Sequence, residues 1–103
     1  MQDFVKVARA AEIKRGEIKV VEVDGESILI ANVAGDLYAV SETCTHEDFP
    51  LGEGFLEGEE VECVLHGSRF SVRTGQPHQE PATEPLKRYA VRVEGEDVLV
   101  GPA

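Results

Sequence analysis

The chain reads as all-β: an antiparallel β-sandwich or barrel base carrying a small inserted subdomain at about residues 41–80. Three observations predict this. Short runs of β-branched and aromatic residues recur along both halves of the chain. Asp24-Gly25 stands between two apolar runs, a strong hairpin signal because both central turn residues need positive φ. Between the strand-like halves lies an irregular stretch of about forty residues, which inside a compact domain signals a functional segment.

Taken in order, residues 4–7 (Phe-Val-Lys-Val) open as a strand, and residues 10–16 allow one helical turn closed by Gly16. Ile18, Val20 and Val23 make a half-buried strand up to Asp24-Gly25, returned over 27–33. Ala34-Gly35-Asp36 turns into a strand over 37–40, giving a meander of antiparallel strands. Residues 41–60 carry Pro50, Gly52, Gly54 and Gly58 and little strand pattern. A short strand is expected over 61–63 and another over 69–72, ended by Thr74-Gly75. Pro77, Pro81 and Pro85 argue against regular pairing over 76–85. Residues 86–94 alternate apolar and charged side chains, and Gly95-Glu96-Asp97 turns into a last strand over 98–100.

With 103 residues and no linker, repeat or low-complexity tract, a single domain over 1–103 is expected. No apolar run approaches the roughly 20 residues of a membrane span. The N-terminus lacks the charged-then-apolar layout of a secretion signal. A soluble, cytoplasmic chain is the expectation, its two cysteines reserved for metal or catalysis rather than a disulfide. A net charge of −10 opposes nucleic acid and anionic lipid as partners. From residue 42 to 62 there are eight carboxylates and no Lys or Arg, either a solvated loop or a docking surface for basic partners.

Both cysteines and two of the three histidines fall in two short segments, Cys44-Thr45-His46 and Cys63-Val64-Leu65-His66, sixteen residues apart. Thiolate and neutral imidazole are the donors that iron, zinc and copper prefer. A tetrahedral zinc site usually pairs Cys with Cys and His with His, whereas each pair here is mixed. One-residue spacing is awkward for two donors converging on a single small ion. Two adjacent metal atoms are reached more easily, one taking both cysteines and the other both histidines.

That arrangement resembles the Rieske [2Fe–2S] family, in which two His replace two Cys on one iron. The C-x-H and C-x-x-H pairs and their interval fit the family pattern throughout. His66-Gly67-Ser68 resembles the family turn whose backbone amides approach the cluster; Leu51 matches the apolar shield of the first loop. Thr74-Gly75-Gln76-Pro77 and the prolines that follow, Pro81 among them, resemble the proline-rich third loop covering the cluster. The resemblance implies a [2Fe–2S] cofactor held by Cys44, His46, Cys63 and His66, with Leu51, Gly67, Ser68, Phe70 and Pro81 around it. Three departures bear on its potential and subfamily. The inter-loop disulfide of high-potential members is missing; Phe70 stands where they place a sulfur-bonding tyrosine; Val64 replaces the usual proline. A potential near the low end of the Rieske span, roughly −150 mV, is therefore expected.

The resemblance implies a monomeric one-electron carrier without catalysis of its own, running from a flavin-dependent reductase to a terminal oxygenase or comparable acceptor. Alternatives are the small subunit of a larger oxidoreductase resembling assimilatory nitrite reductase, and a zinc-stabilised binding module. His78, without a neighbouring cysteine, is expected at the surface. Tyr38, Phe49, Phe55 and Tyr89 are expected to pack, and Arg69 and Arg73 to balance nearby carboxylates.

Overall fold

The computed structural model describes residues 3–44, 50–64, 67–79 and 84–103. Ten strands form among them: β1 (Val5–Arg9), β2 (Ile18–Val23), β3 (Glu26–Val33), β4 (Asp36–Ser41), β5 (Phe55–Glu57), β6 (Glu60–Glu62), β7 (Arg69–Ser71), β8 (Pro77–Gln79), β9 (Arg88–Glu94) and β10 (Asp97–Pro102). Six make an antiparallel sheet in the order β1-β10-β9-β4-β3-β2, curled until its edge strands β1 and β2 approach each other. The others make a small antiparallel sheet in the order β5-β6-β7-β8.

The expected meander is present. Asp24 and Gly25 have φ of 51° and 79°, the doubly positive turn whose twist matches the strands it joins. Val23 then faces Glu26 and Ile18 faces Ala31. The expected turn over 10–16 shrinks to a 3-10 turn at Ala10–Glu12, because the chain at Gly16 is drawn to β3 by a 2.8 Å bond from its N–H to the Asn32 carbonyl.

Two expectations are corrected. Residues 41–60 contain a strand, β5, which pairs with β6 around Gly58. Three residues are too few to show a period, so its partner makes the strand rather than its own pattern. Within 76–85, Pro77–Gln79 also pair: β8 joins β7 with Phe70 opposite Pro77. Pro77 is tolerated because it is the first residue of an edge strand, where a missing N–H breaks no central ladder.

Strand β3 is buried on both faces, which explains the unbroken run Ile28-Leu29-Ile30-Ala31. Ile28 and Ile30 point into one core with Ala39, Tyr89, Val98 and Val100. Leu29 and Ala31 point into a second, shared with Val40 and with Val61 and Phe70 of the small sheet. Alternation along β4 divides Ala39 and Val40 between the two cores in the same way. The buried amide of Asn32 is satisfied, its Nδ2 donating to the Ile13 carbonyl (2.8 Å) and its Oδ1 accepting from Gly35 N (2.8 Å).

Candidate metal centre

The two cysteines leave the sheets from different strands and end in one core. Beyond β4, Glu42 N donates to the Ser27 carbonyl (3.1 Å) and Leu51 N to the Glu42 carbonyl (2.7 Å). An isolated antiparallel bridge between Thr43 and Pro50 pins both ends of the first segment. Cys44 follows directly and is 1% exposed.

Cys63 follows β6 and is likewise 1% exposed. Its N–H donates to the Ser68 carbonyl (2.7 Å), and Gly67 N donates to the Cys63 carbonyl (2.8 Å). Gly67 has φ of 76°, a left-handed conformation that a side chain would strain, so glycine here is what lets the turn close. A third segment braces the others. The Ser71 hydroxyl accepts from Arg73 N and Thr74 N (both 3.2 Å). Gly75 N donates to the Ser71 carbonyl (2.7 Å), and Leu86 N to the Gly75 carbonyl (2.8 Å).

Cys44, Cys63, Leu51, Phe70, Val72 and Leu86 belong to the same buried cluster. Neither cysteine is in a disulfide. Leu51 is fully buried, as are Phe70 and Ser68, and Phe70 is the largest wholly buried side chain among the described residues. His46, His66 and Pro81 of the expected set lie outside the described residues, as does Phe49. Among the described residues no three His, Cys, Asp or Glu side chains gather as a metal site; the described donors of the expected set are the two thiols.

Elsewhere, His78 is at the surface as expected, its Nδ1 2.6 Å from Glu60 Oε2. That contact, followed by Arg69, holds the Glu60 carboxyl below the usual range. Tyr89 packs in the first core, and its hydroxyl donates to Glu26 (2.7 Å). Tyr38 is half-buried against the cysteine core. Phe55 corrects its expectation: it is 46% exposed, because alternation along β5 turns it outward with Glu57 while Leu56 packs inward.

Arg69 and Arg73 balance nearby carboxylates, as expected; which carboxylates each one meets is set by the strand register. Arg69 donates to Glu62 (Nε, 2.9 Å) and to Glu57 and Glu60 (Nη1, 2.8 and 3.4 Å). These carboxylates, Glu57 foremost, raise its pKa above the ordinary guanidinium value. Arg73 meets Glu59 at 3.1 Å. The acidic stretch is thus partly neutralised by residues that follow it, a pairing visible only once β6 and β7 are in register.

A curled antiparallel base, a small second sheet and two cysteines that separate segments bring into one buried core define a small all-β protein with a cysteine pair in its core. A model of the Rieske [2Fe-2S] domain matches residues 3–90, and the chain belongs to that family. It is similar to the biphenyl 2,3-dioxygenase ferredoxin component of Rhodococcus jostii (strain RHA1), with 43% identity over 97 residues, 94% of this chain and 91% of the relative. Among solved structures it is similar to the ferredoxin of carbazole 1,9a-dioxygenase from Nocardioides aromaticivorans IC177. There the TM-score is 0.93 at 36% identity, covering 99% of this chain and 100% of that one. A structure described as a complex of reduced oxygenase and oxidized ferredoxin in carbazole 1,9a-dioxygenase matches equally, with TM-score 0.93, 36% identity, and 98% and 94% of the two chains covered.

The residues present fit the cluster the family is named for. Two thiols free of any disulfide, drawn from separate segments into one water-excluding core, suit a pair of thiolate ligands. The turn closing on Cys63 carries a glycine whose absent side chain leaves backbone free to approach. No helix among the described residues is long and apolar enough to cross a membrane.

Proposed function

We propose that this chain is a single-domain electron carrier, residues 1–103, whose subdomain at about 41–80 holds a Rieske-type [2Fe–2S] cluster. Cys44 and Cys63 would ligate one iron, and His46 and His66 the other. The observation that carries the reading is the burial of both cysteines in one core of a chain that belongs to this family. When bound, the cluster accepts and returns one electron, its two imidazoles setting its potential above that of plant-type ferredoxins.

The chain's own residues supply the setting. Leu51, Phe70 and Leu86 keep water from the sulfur side, which favours the less charged, oxidised form. Phe70 has no hydroxyl to donate, which keeps the potential near the low end, roughly −150 mV. Gly67 and Ser68 bond back to Cys63 and would present the second ligand pair, and Pro81 would contribute to a covering third loop. The chain works in the cytoplasm as a monomer, taking electrons from a flavin-dependent reductase and giving them to a terminal oxygenase, without turnover of its own. The family's ferredoxin components of dioxygenase systems, and the oxygenase–ferredoxin complex, support that role. Exposed carboxylates such as Glu53 and Glu57 suit basic partner surfaces, so transfer rates should fall as salt rises.

Anaerobic purification tests the reading. Iron and acid-labile sulfide in equal amounts, visible colour and the paramagnetic signature of a mixed Cys/His cluster on reduction are expected. A colourless protein containing zinc, or four equivalent thiolate-type ligands, would refute it.

A further inference from the structure

Resting on the electron-carrier reading, we infer that Arg69 is a positioning residue for the second ligand segment and sets the charge around its donors. It does so by gathering Glu57, Glu60 and Glu62 at the neck of the loop over 63–68. Arg69 and Glu62 face each other as the last paired residues before that loop leaves the β6–β7 ladder. Their 2.9 Å contact therefore closes the neck from which Cys63 departs and to which residue 68 returns.

The same guanidinium resolves a conflict in the neighbouring hairpin. Glu57 and Glu60 lie directly opposite each other on β5 and β6, a like-charge pair that destabilises a ladder by itself. One Arg69 nitrogen reaches both, at 2.8 and 3.4 Å. The second oxygen of Glu60 meets His78 of β8. A continuous chain of charged and hydrogen-bonded side chains thus crosses the outward face of all four strands of the small sheet. Arg69, Glu60 and Glu62 side chains are 25%, 26% and 25% exposed, so water screens their charges less than those of a fully solvated pair. The planar fork matters as well as the charge, because two nitrogens of one side chain hold three carboxylates, a geometry an ammonium cannot reproduce.

Two roles follow and are separable. Removing the charge leaves three carboxylates uncompensated beside a segment that must take up an electron. Keeping the charge but removing the fork loosens the neck. The test compares wild type, Arg69→Gln, Arg69→Lys and the double variant Arg69→Gln/Glu62→Gln, purified as the loaded protein. Readouts are iron and sulfide content, rate of colour loss, and midpoint potential by optical titration. In Arg69→Gln the reduction equilibrium constant should fall about threefold, which at about 59 mV per decade for one electron is about 28 mV. The double variant restores formal charge and should recover most of that loss. Arg69→Lys should keep the wild-type midpoint yet lose colour several-fold faster.

A wild-type protein without iron and sulfide overturns the carrier reading itself. A loaded wild type beside a loaded Arg69→Gln of unchanged midpoint overturns the electrostatic role and leaves that reading standing. Should Arg69→Gln fail to fold or load, the lysine variant decides: wild-type loading and colour retention there overturn the positioning role.

Discussion

Leu29 and Ile30 are neighbours in β3, both fully buried, and they point into different cores. Truncating each to alanine therefore compares two cavities of similar chemistry that differ in whether Cys44 and Cys63 belong to the same core. Each change removes three apolar carbons, about 2.4 kcal/mol at about 0.8 kcal/mol per carbon, and the cavity left behind brings the total to about 3 kcal/mol. Against a total stability of about 5–15 kcal/mol this is a large but survivable loss. At about 4–8 °C per kcal/mol, melting should fall by about 12–24 °C in both variants. Circular dichroism of the cluster-free chains measures that common loss. The discriminating assay is loss of visible absorbance from loaded protein, held well below either melting temperature. Leu29→Ala should bleach several-fold faster than wild type, because its cavity opens in the core that houses the thiols. Ile30→Ala should bleach at nearly the wild-type rate. Equal bleaching in the two variants would refute the claim that β3 separates a structural core from a site core.

Gly54 leaves no room for a side chain: a Cβ there would stand 1.9 Å from the Glu62 carbonyl oxygen. Gly54→Ala should force β5 from β6 and cost about 3 kcal/mol or more, read by thermal melting, with iron retention falling in parallel. Tyr89 is pushed up to about 12, by burial first and then by Glu26, while Glu26 is lowered by the Tyr89 hydroxyl and then by Lys87. The raised tyrosine favours the fold below its ordinary value of 10.0, and that contribution is lost as pH rises toward about 12. The lowered carboxyl favours the fold above its ordinary 4.5, and its contribution is lost as pH falls through its folded value. Tyr89→Phe should therefore flatten the melting temperature against pH on both limbs; an unchanged alkaline limb would contradict the assignment. Finally, His46→Cys should lower the potential or abolish the cluster, whereas His78→Asn should leave the spectrum of the loaded protein intact. A lost spectrum in the His78 variant would refute the ligand set.

Much of the base was legible because its signals are local. Asp24-Gly25 specifies its own turn and so the return strand over 27–33, whereas the covering of that strand on both faces emerges only when the two cores are assembled. The mixed Cys-His pairs stood out as ligand candidates by residue type and spacing, and of their four members the structure describes the two cysteines, which it brings into one core. Strands β5 and β8 were not, because three residues carry no period and owe their conformation to a partner. Phe55 was misread for the same reason: without the register of β5 on β6, nothing says which way it points. The role of Arg69 needed more still. Its three carboxylates lie 7 to 12 residues away in sequence and meet it only when two hairpin registers hold together.

Placement of the irregular segment in the chain has an energetic logic of its own. It leaves the base at the end of β4 and rejoins it before β9, and those two strands are adjacent and hydrogen-bonded, with Ala39 opposite Tyr89 and Val40 opposite Arg88. Ser41 N donates to the Lys87 carbonyl (2.8 Å), so the ladder extends to the very point where the segment departs. Closing an excursion of about 45 residues costs about 3 kcal/mol of chain entropy, growing as the logarithm of length. Here the β4–β9 pairing meets that cost, and bridges such as Thr43–Pro50 divide the excursion into shorter loops. The thiols need then be held in place only within those loops. A chain can carry so long an excursion, short strands and loops together, because the base has already fixed where it begins and ends. The same geometry says where failure should begin: changes that part β4 from β9 should release both cysteine segments together, while changes confined to the β1–β10 edge should release neither.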